Sequence, residues 1–443
     1  MNFYIKTYGC QMNTRDSDAA TAMLCKSGHT PVKKEEQADV IILNTCTVRG
    51  KAEDKAIGKL GFLKRLKRKN ENLLLGMMGC AAQRMGEDIF DQVPHLDFVV
   101  GTDQLHKIAD IVNSEIKDRH RFVDISPERD VLTSMGDHHK VDNKKSEFIA
   151  IMRGCDRYCT FCIVPKVRGA EKSREIEDIV AEAQKLADAG VVEVTLLGQN
   201  VSAYGLPGVR PPIPNDVSPF ARLLEAISDI EGIKRIRFTS PHPSYFNDEL
   251  IEAFGRLPKV CSSLHFPLQS GSDSILKKMN RPYTSAEFIE VARKLKVAKP
   301  DLTFSTDVIV GFPGETDDDF EETRRVFKEV EFDNAYIFKY SPRSGTAAAR
   351  WPDQISDKIK EKRNQILLAD LGEITIRHHE EMINSVVEIM VGGVSKRNTE
   401  TWRGLTQTNQ VVIFYPEDGV EIGDLIKLKV NRVTRTTLYG EIV

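Results

Sequence analysis

Along the first hundred residues, short apolar runs alternate with stretches in which apolar residues return at helical spacing. Residues 2–8, 39–44, 73–79 and 96–101 are runs of strand length, and helical patterns follow them, for instance over 16–26 and 49–69. Strands alternating with helices predict parallel strands covered on both faces, an open, doubly wound parallel-sheet domain over residues 1–124. Residues 125–146 turn polar with little periodicity and read as a linker. A second series fills 147–375, with strands predicted at 148–153, 193–197, 235–239, 263–268, 303–310 and 334–339, separated by helices such as 174–189 and 316–330. Six βα units in a row favour a complete or partial β/α barrel, although an open sheet fits the same pattern. After about residue 376 the helical period stops. Short β-like runs at 386–390, 411–415, 425–430 and 437–443 predict a small all-β barrel over 376–443.

A chain of 443 residues exceeds one ordinary core, in keeping with this division. No apolar run is long enough to span a bilayer and the first residues (MNFYIKTYGC) lack a signal pattern, so a cytoplasmic protein with no membrane partner is expected. A net charge of −3 creates no global field for nucleic acid, and any such binding must come from local patches.

The eight cysteines change the picture. A cytosolic setting favours metal or catalytic roles for clustered thiols over disulfides. Cys155, Cys159 and Cys162 stand in RGCDRYCTFC as C-x3-C-x2-C, just after the first strand of the second series. Three thiolates so spaced can hold three irons of a cubane and leave the fourth open. A structural zinc site wants four ligands, and the nearest candidates, His138 and His139, lie in another segment. Cys10, Cys46 and Cys80 are far apart in sequence, yet each lies within two residues of the C-terminal end of a predicted strand. In an open parallel sheet those ends border the ligand crevice, so the three converge as a second cluster site. Cys25 and Cys261 show no such pattern and read as buried, inert thiols.

With these residues goes a series of motifs: TYGCQMN, NTCTVRGKAEDKA, GCAAQR, RGCDRYCTFCIVPKVRG, LLGQNVSAYG, HFPLQSGS, MNRPYT, DVIVGFPGET and KYSPRSGTAA. In this order they resemble the methylthiotransferase branch of the radical S-adenosylmethionine enzymes over nearly the whole chain, and the flanks of Cys10 and Cys46 favour the members that act on prenylated adenosine in transfer RNA. Lys166, Ala81, Ser344, Ala347 and Gly50 depart from the usual pattern. The resemblance implies two 4Fe–4S clusters and two roles for S-adenosylmethionine. The barrel cluster reduces it to release a 5′-deoxyadenosyl radical, which takes hydrogen from carbon 2 of the adenine. The amino-terminal cluster carries the sulfur, methylated by a separate S-adenosylmethionine. It also implies a TRAM-like C-terminal domain, the anticodon stem-loop of transfer RNA as substrate, an electron donor such as flavodoxin or ferredoxin, and a sulfur or cluster carrier. The sibling activities on threonylcarbamoyl-adenosine or a ribosomal protein side chain are the alternatives, with a non-catalytic iron–sulfur redox protein behind them.

Around the barrel, Gln199 and Asn200 close the second strand, where polar groups can hold the amino-acid end of S-adenosylmethionine; a polar turn explains them equally well. Ser240, His242 and Gln269 fall on the face where barrel sites form, and Phe161, between two ligands, can pack on the cofactor's adenine or inside its own loop. Two surfaces are candidates for RNA. Residues 59–69 (KLGFLKRLKRK) read as an amphipathic helix with a basic face. Lys396, Arg397, Trp402 and Arg403 make a basic–aromatic patch in the last domain, where acidic residues otherwise balance basic ones.

Overall fold

A computed structural model describes residues 1–48, 50–118, 121–127, 144–206 and 208–443. The amino-terminal sheet contains β1 (Asn2–Tyr8), β2 (Thr30–Pro31), β3 (Val40–Thr45), β4 (Leu74–Met78), β5 (Phe98–Val100) and β6 (Phe122–Asp124). All pair in parallel, in the order β2-β1-β3-β4-β5-β6. Alternate side chains point to opposite faces. Val40 and Ile42 pack with α1 (Gln11–Lys26), whereas Ile41 and Leu43 pack with α2 (Gly50–Lys69). The short edge strands β2 and β6 carry no period that the sequence displays. β2 is two exposed residues ending in a proline, which suits an edge and leaves no apolar signal.

Most of the expected linker, 128–143, lies outside the described residues, as do His138 and His139. The central region holds β7 (Ser146–Ala150), a short antiparallel pair of β8 (Met152–Arg153) and β9 (Lys172–Ser173), then β10 (Glu193–Leu197), β11 (Arg235–Phe238), β12 (Ser263–His265), β13 (Thr303–Val310) and β14 (Asn334–Lys339). The parallel strands form two arcs, β7-β10-β11 and β12-β13-β14. A single bridge, Ile236 to Val260, and a bond from Arg237 Nη1 to Ser263 Oγ at 3.0 Å span the gap between them. Among the described residues no pairing returns β14 to β7, so the arcs form an incomplete barrel, with helices packed on the outside.

The helical pattern expected to end near residue 376 runs on: helix Asp357–Glu381 continues, with His379 Nδ1 on Thr434 O at 2.7 Å. Beyond it, β15 (Val386–Val394), β16 (Trp402–Thr406), β17 (Val411–Phe414), β18 (Leu425–Val433) and β19 (Leu438–Ile442) close into a barrel in the order β15-β16-β17-β19-β18. This barrel docks beneath the N-terminal ends of β11 and β13. Arg235 Nη1 donates to Leu405 O at 2.7 Å, Arg237 Nη2 to Thr406 O at 2.7 Å, and Thr303 Oγ1 to Thr408 O at 3.0 Å. The amino-terminal sheet instead meets the opposite end, where Met12 packs on Ala150 and Leu197.

Candidate active site

The sheet order places the topological switch point between β1 and β3, the position where open α/β sheets bind ligands beyond their strand ends. Cys10 follows β1 there, Cys46 follows β3, and Cys80 opens α3 (Cys80–Met85) after β4. Two buried amides shape this crevice. Asn13 Nδ2 donates to Asn44 Oδ1 at 3.0 Å, and Asn44 Nδ2 returns a bond to Asn13 O at 2.7 Å. Cys10 caps α1, within 3.3 Å of Asn13 Oδ1, and Val48 N donates to Cys46 Sγ at 3.3 Å. A hydrogen bond from Cys46 holds the Cys10 thiol down at about 5, helped by the Arg168 charge and by backbone amides at the start of α1. Burial raises the Cys80 thiol, opposed by Arg168, whose Nε lies 3.2 Å from Cys80 Sγ.

The second set sits on the loop between β8 and the short helix Val164–Arg168. Gly154 at φ +80 starts it, pressed so close to Ala170 O that no side chain fits. Gln199 Oε1 accepts from Gly154 N at 2.6 Å, so Gln199 braces the loop directly. Asn280 Nδ2 holds the carbonyls of Arg157 and Tyr158 at 3.2 Å each, and Arg281 Nη1 approaches Cys159 Sγ at 3.7 Å. Burial pushes Cys155 and Cys162 up to about 12. Metal binding at these thiols has to displace their protons. Among the described residues no three His, Cys, Asp or Glu side chains close around a single ion. Three thiolates in a set match a cluster that takes one protein ligand per iron, whereas a structural zinc takes four ligands.

The other expected residues divide. Asn200 is buried, its Nδ2 3.4 Å from Glu171 Oε1. His242 is buried with Nδ1 taken by Ser244 N at 3.3 Å and Nε2 without a partner, and burial lowers its basicity well below the usual range. It lies edge-on to Tyr283, which links through Arg281 to Cys159. Ser240 and Gln269 both adopt positive φ at strand ends. Phe161 packs edge-on against Phe312, 6.3 Å between centroids, inside its own domain. Lys396, Arg397 and Arg403 are exposed, whereas Trp402 is half-buried against the small barrel's core. On α2, Leu60 and Leu63 are buried and Arg65 lies over the exposed Phe62 ring at 3.8 Å. Cys25 lies on α1 and is only half-buried against the core below that helix, where the sequence predicts a buried thiol, whereas Cys261 is buried with its thiol raised by burial. Gly50 leaves room for Arg343, which donates to Val48 O at 3.1 Å beside Cys46. Nothing in the sequence singles out Arg168, Arg281, Asn13, Asn44 or Arg343; their partners lie far away along the chain, and the only local signal is their place inside or beside the quoted motifs.

Comparison with known proteins agrees with this layout. The radical SAM superfamily matches residues 149–327, the TRAM domain 380–443, and the uncharacterized protein family UPF0004 residues 2–101. The tRNA-2-methylthio-N(6)-dimethylallyladenosine synthase of Akkermansia muciniphila is 43% identical, covering 99% of this chain and 98% of its own. The enzyme of the same name from Methylacidiphilum infernorum is 44% identical over 99% and 94%. Among solved structures, the radical S-adenosylmethionine methyltransferase TsrM from Kitasatospora setae shares the fold at a TM-score of 0.56, covering 85% of this chain and 90% of its own at 12% identity. The chain belongs to the family of radical S-adenosylmethionine tRNA-2-methylthio-N(6)-dimethylallyladenosine synthases.

Proposed function

We propose that this protein transfers a methylthio group to carbon 2 of N6-dimethylallyl adenosine beside the anticodon of transfer RNA. As a radical S-adenosylmethionine enzyme it works with an iron–sulfur cluster and S-adenosylmethionine. In this reading Cys155, Cys159 and Cys162 hold that 4Fe–4S cluster, and Cys10, Cys46 and Cys80 hold a second. When bound, the two clusters supply, respectively, the electron that cleaves S-adenosylmethionine to a carbon radical and the sulfur that is methylated and transferred. The observation that carries the reading is the packing of one cysteine site on the other: the helix leaving Cys162 ends with Arg168 on Cys80.

The chain's own residues then orient and exclude. Gln199 and Asn280 hold the cysteine loop in register, and Arg281 screens charge on Cys159. Asn200, Ser240, His242 and Gln269 surround the same end of the barrel and bind the polar parts of S-adenosylmethionine, with Phe161 backing the loop. His242, neutral because it is buried, can present Nε2 without a competing charge. Lys396, Arg397, Trp402 and Arg403 contact the RNA. A flavodoxin- or ferredoxin-like reductant and a sulfur or cluster carrier complete the cycle.

To meet a radical the adenine must leave the loop stack, at a cost of a few kcal/mol. Burial of the prenyl tail offsets this at roughly 0.8 kcal/mol per buried CH₂. The test is turnover by anaerobically reconstituted protein on matched anticodon stem-loops. Methylthiolation of the prenylated loop is expected, slower by at least about a hundredfold without the prenyl group. Equal rates on both would show that the tail is not read, and product from a threonylcarbamoyl loop alone would assign the sibling activity.

A further inference from the structure

Arg168 ends helix Val164–Arg168 in the barrel region, yet its side chain bonds to the amino-terminal sheet domain. Nε donates to Cys80 Sγ at 3.2 Å and Nη2 to Asp16 Oδ2 at 2.6 Å. The residue is only 4% exposed, and Nη1 is buried with no hydrogen-bond partner. Around it, Cys80, Ile163 and Val167 form a small apolar cluster, and Thr102 Oγ1 donates to Val167 O at 2.6 Å. A guanidinium that served only to pair with a carboxylate would turn two nitrogens to it as a fork. Here one nitrogen faces the sulfur and another is left open. Buried polar groups are rarely left unpaired, so an open donor beside a cysteine site points to an acceptor that occupies it.

We infer that Arg168 is a positioning residue of the amino-terminal cysteine site, supplied across the domain interface, which raises the reduction potential of the cluster held at Cys80 and presents Nη1 to an anionic sulfur there. The inference rests on reading Cys10, Cys46 and Cys80 as cluster ligands. A hydrogen bond and a positive charge at a ligating sulfur favour the more negative, reduced state. Burial strengthens both effects. The site is therefore complete only when the two domains are docked.

The experiment uses the full chain carrying Cys155→Ala, Cys159→Ala and Cys162→Ala, so that only the amino-terminal site reports. Its cluster is titrated anaerobically and followed by electron paramagnetic resonance. Arg168→Lys keeps a charge beside Asp16 but loses the planar Nε–H directed at Cys80. The reduction equilibrium should shift by at least tenfold towards the oxidised form, about 59 mV for one electron, with a changed spectrum and unchanged iron content. Asp16→Asn uncovers the Arg168 charge and should shift it the opposite way, a readout that stands if Arg168→Lys fails to hold iron. Thr102→Val loosens the same helix without touching the sulfur and should change neither potential nor spectrum. No shift in either charge variant overturns the inference, as does a shift in Thr102→Val equal to that in Arg168→Lys. A parent chain that binds no iron overturns the two-cluster reading instead.

Discussion

Gly79 stands at φ +93 between the end of β4 and Cys80, where a Cβ would collide with Asn44 Oδ1 and crowd Asn13 Nδ2 at 3.2 Å. The left-handed backbone and the clash act together on the amide pair that shapes the Cys10–Cys46–Cys80 crevice. Gly79→Ala should cost about 1–3 kcal/mol in urea unfolding and reduce iron at that site, leaving the barrel site loaded. Full iron retention with unchanged stability would show that the amide pair does not shape the site. At this scale the positions of the six cysteines, three on one loop and three at strand ends, are legible in the sequence because spacing, or position at a strand end, is a local property. Their partners are not. Asn44 reaches Asn13 across 31 positions and Arg168 reaches Cys80 across 88, distances over which no periodicity operates.

Elements are legible where the period is strong and obscure where tertiary packing decides. The continuous apolar run of β3 and the Leu60–Leu63 stripe of α2 both appear as written in the chain. β16 is hidden because Gly404 interrupts it. A Cβ there would enter Ile389 and approach Met390 O at 2.7 Å, so the small barrel needs the glycine that hides the strand. On α2, Leu63→Ala should destabilise the amino-terminal domain by about 2–5 kcal/mol, measured by chemical denaturation, whereas Lys64→Ala on the exposed face should stay within about 0.5 kcal/mol. The long helix before the small barrel carries a pH-sensitive pair. His378 Nδ1 lies 2.9 Å from Asp333 Oδ1, and that bond raises the histidine above its usual 6.5. A raised folded value means that stability is present below pH 6.5 and is lost as pH rises through the folded value. The difference between the parent and His378→Asn should therefore be largest near about pH 6 and vanish in alkali, at no more than about 1 kcal/mol. A difference that grew with pH would contradict the assignment.

At the scale of the molecule, the two cysteine sites and the small barrel lie at opposite ends of the incomplete barrel. The amino-terminal sheet reaches the end where β7 and β10 finish, and the small barrel binds where β11 and β13 begin. No sequence period encodes this arrangement, because it depends on isolated arginines such as Arg235, which is buried and bonded to the small barrel's backbone. On the function proposed above, this separation puts chemistry and RNA affinity in different regions, separable by mutation. Replacing Lys396, Arg397 and Arg403 together by Ala removes exposed charge and leaves the half-buried Trp402 packed against the barrel core. S-adenosylmethionine cleavage without RNA should be unchanged, because these residues lie outside the cysteine end. Binding of the stem-loop should weaken, and the slope of log affinity against log salt should fall by about 0.7–0.9 for each phosphate that is no longer neutralised. KM for RNA should then rise with little change in kcat. A lowered rate of cofactor cleavage would instead mean that the small barrel acts through the core of the molecule. An unaltered salt slope would place the RNA elsewhere, with the basic face of α2 as the next surface to test.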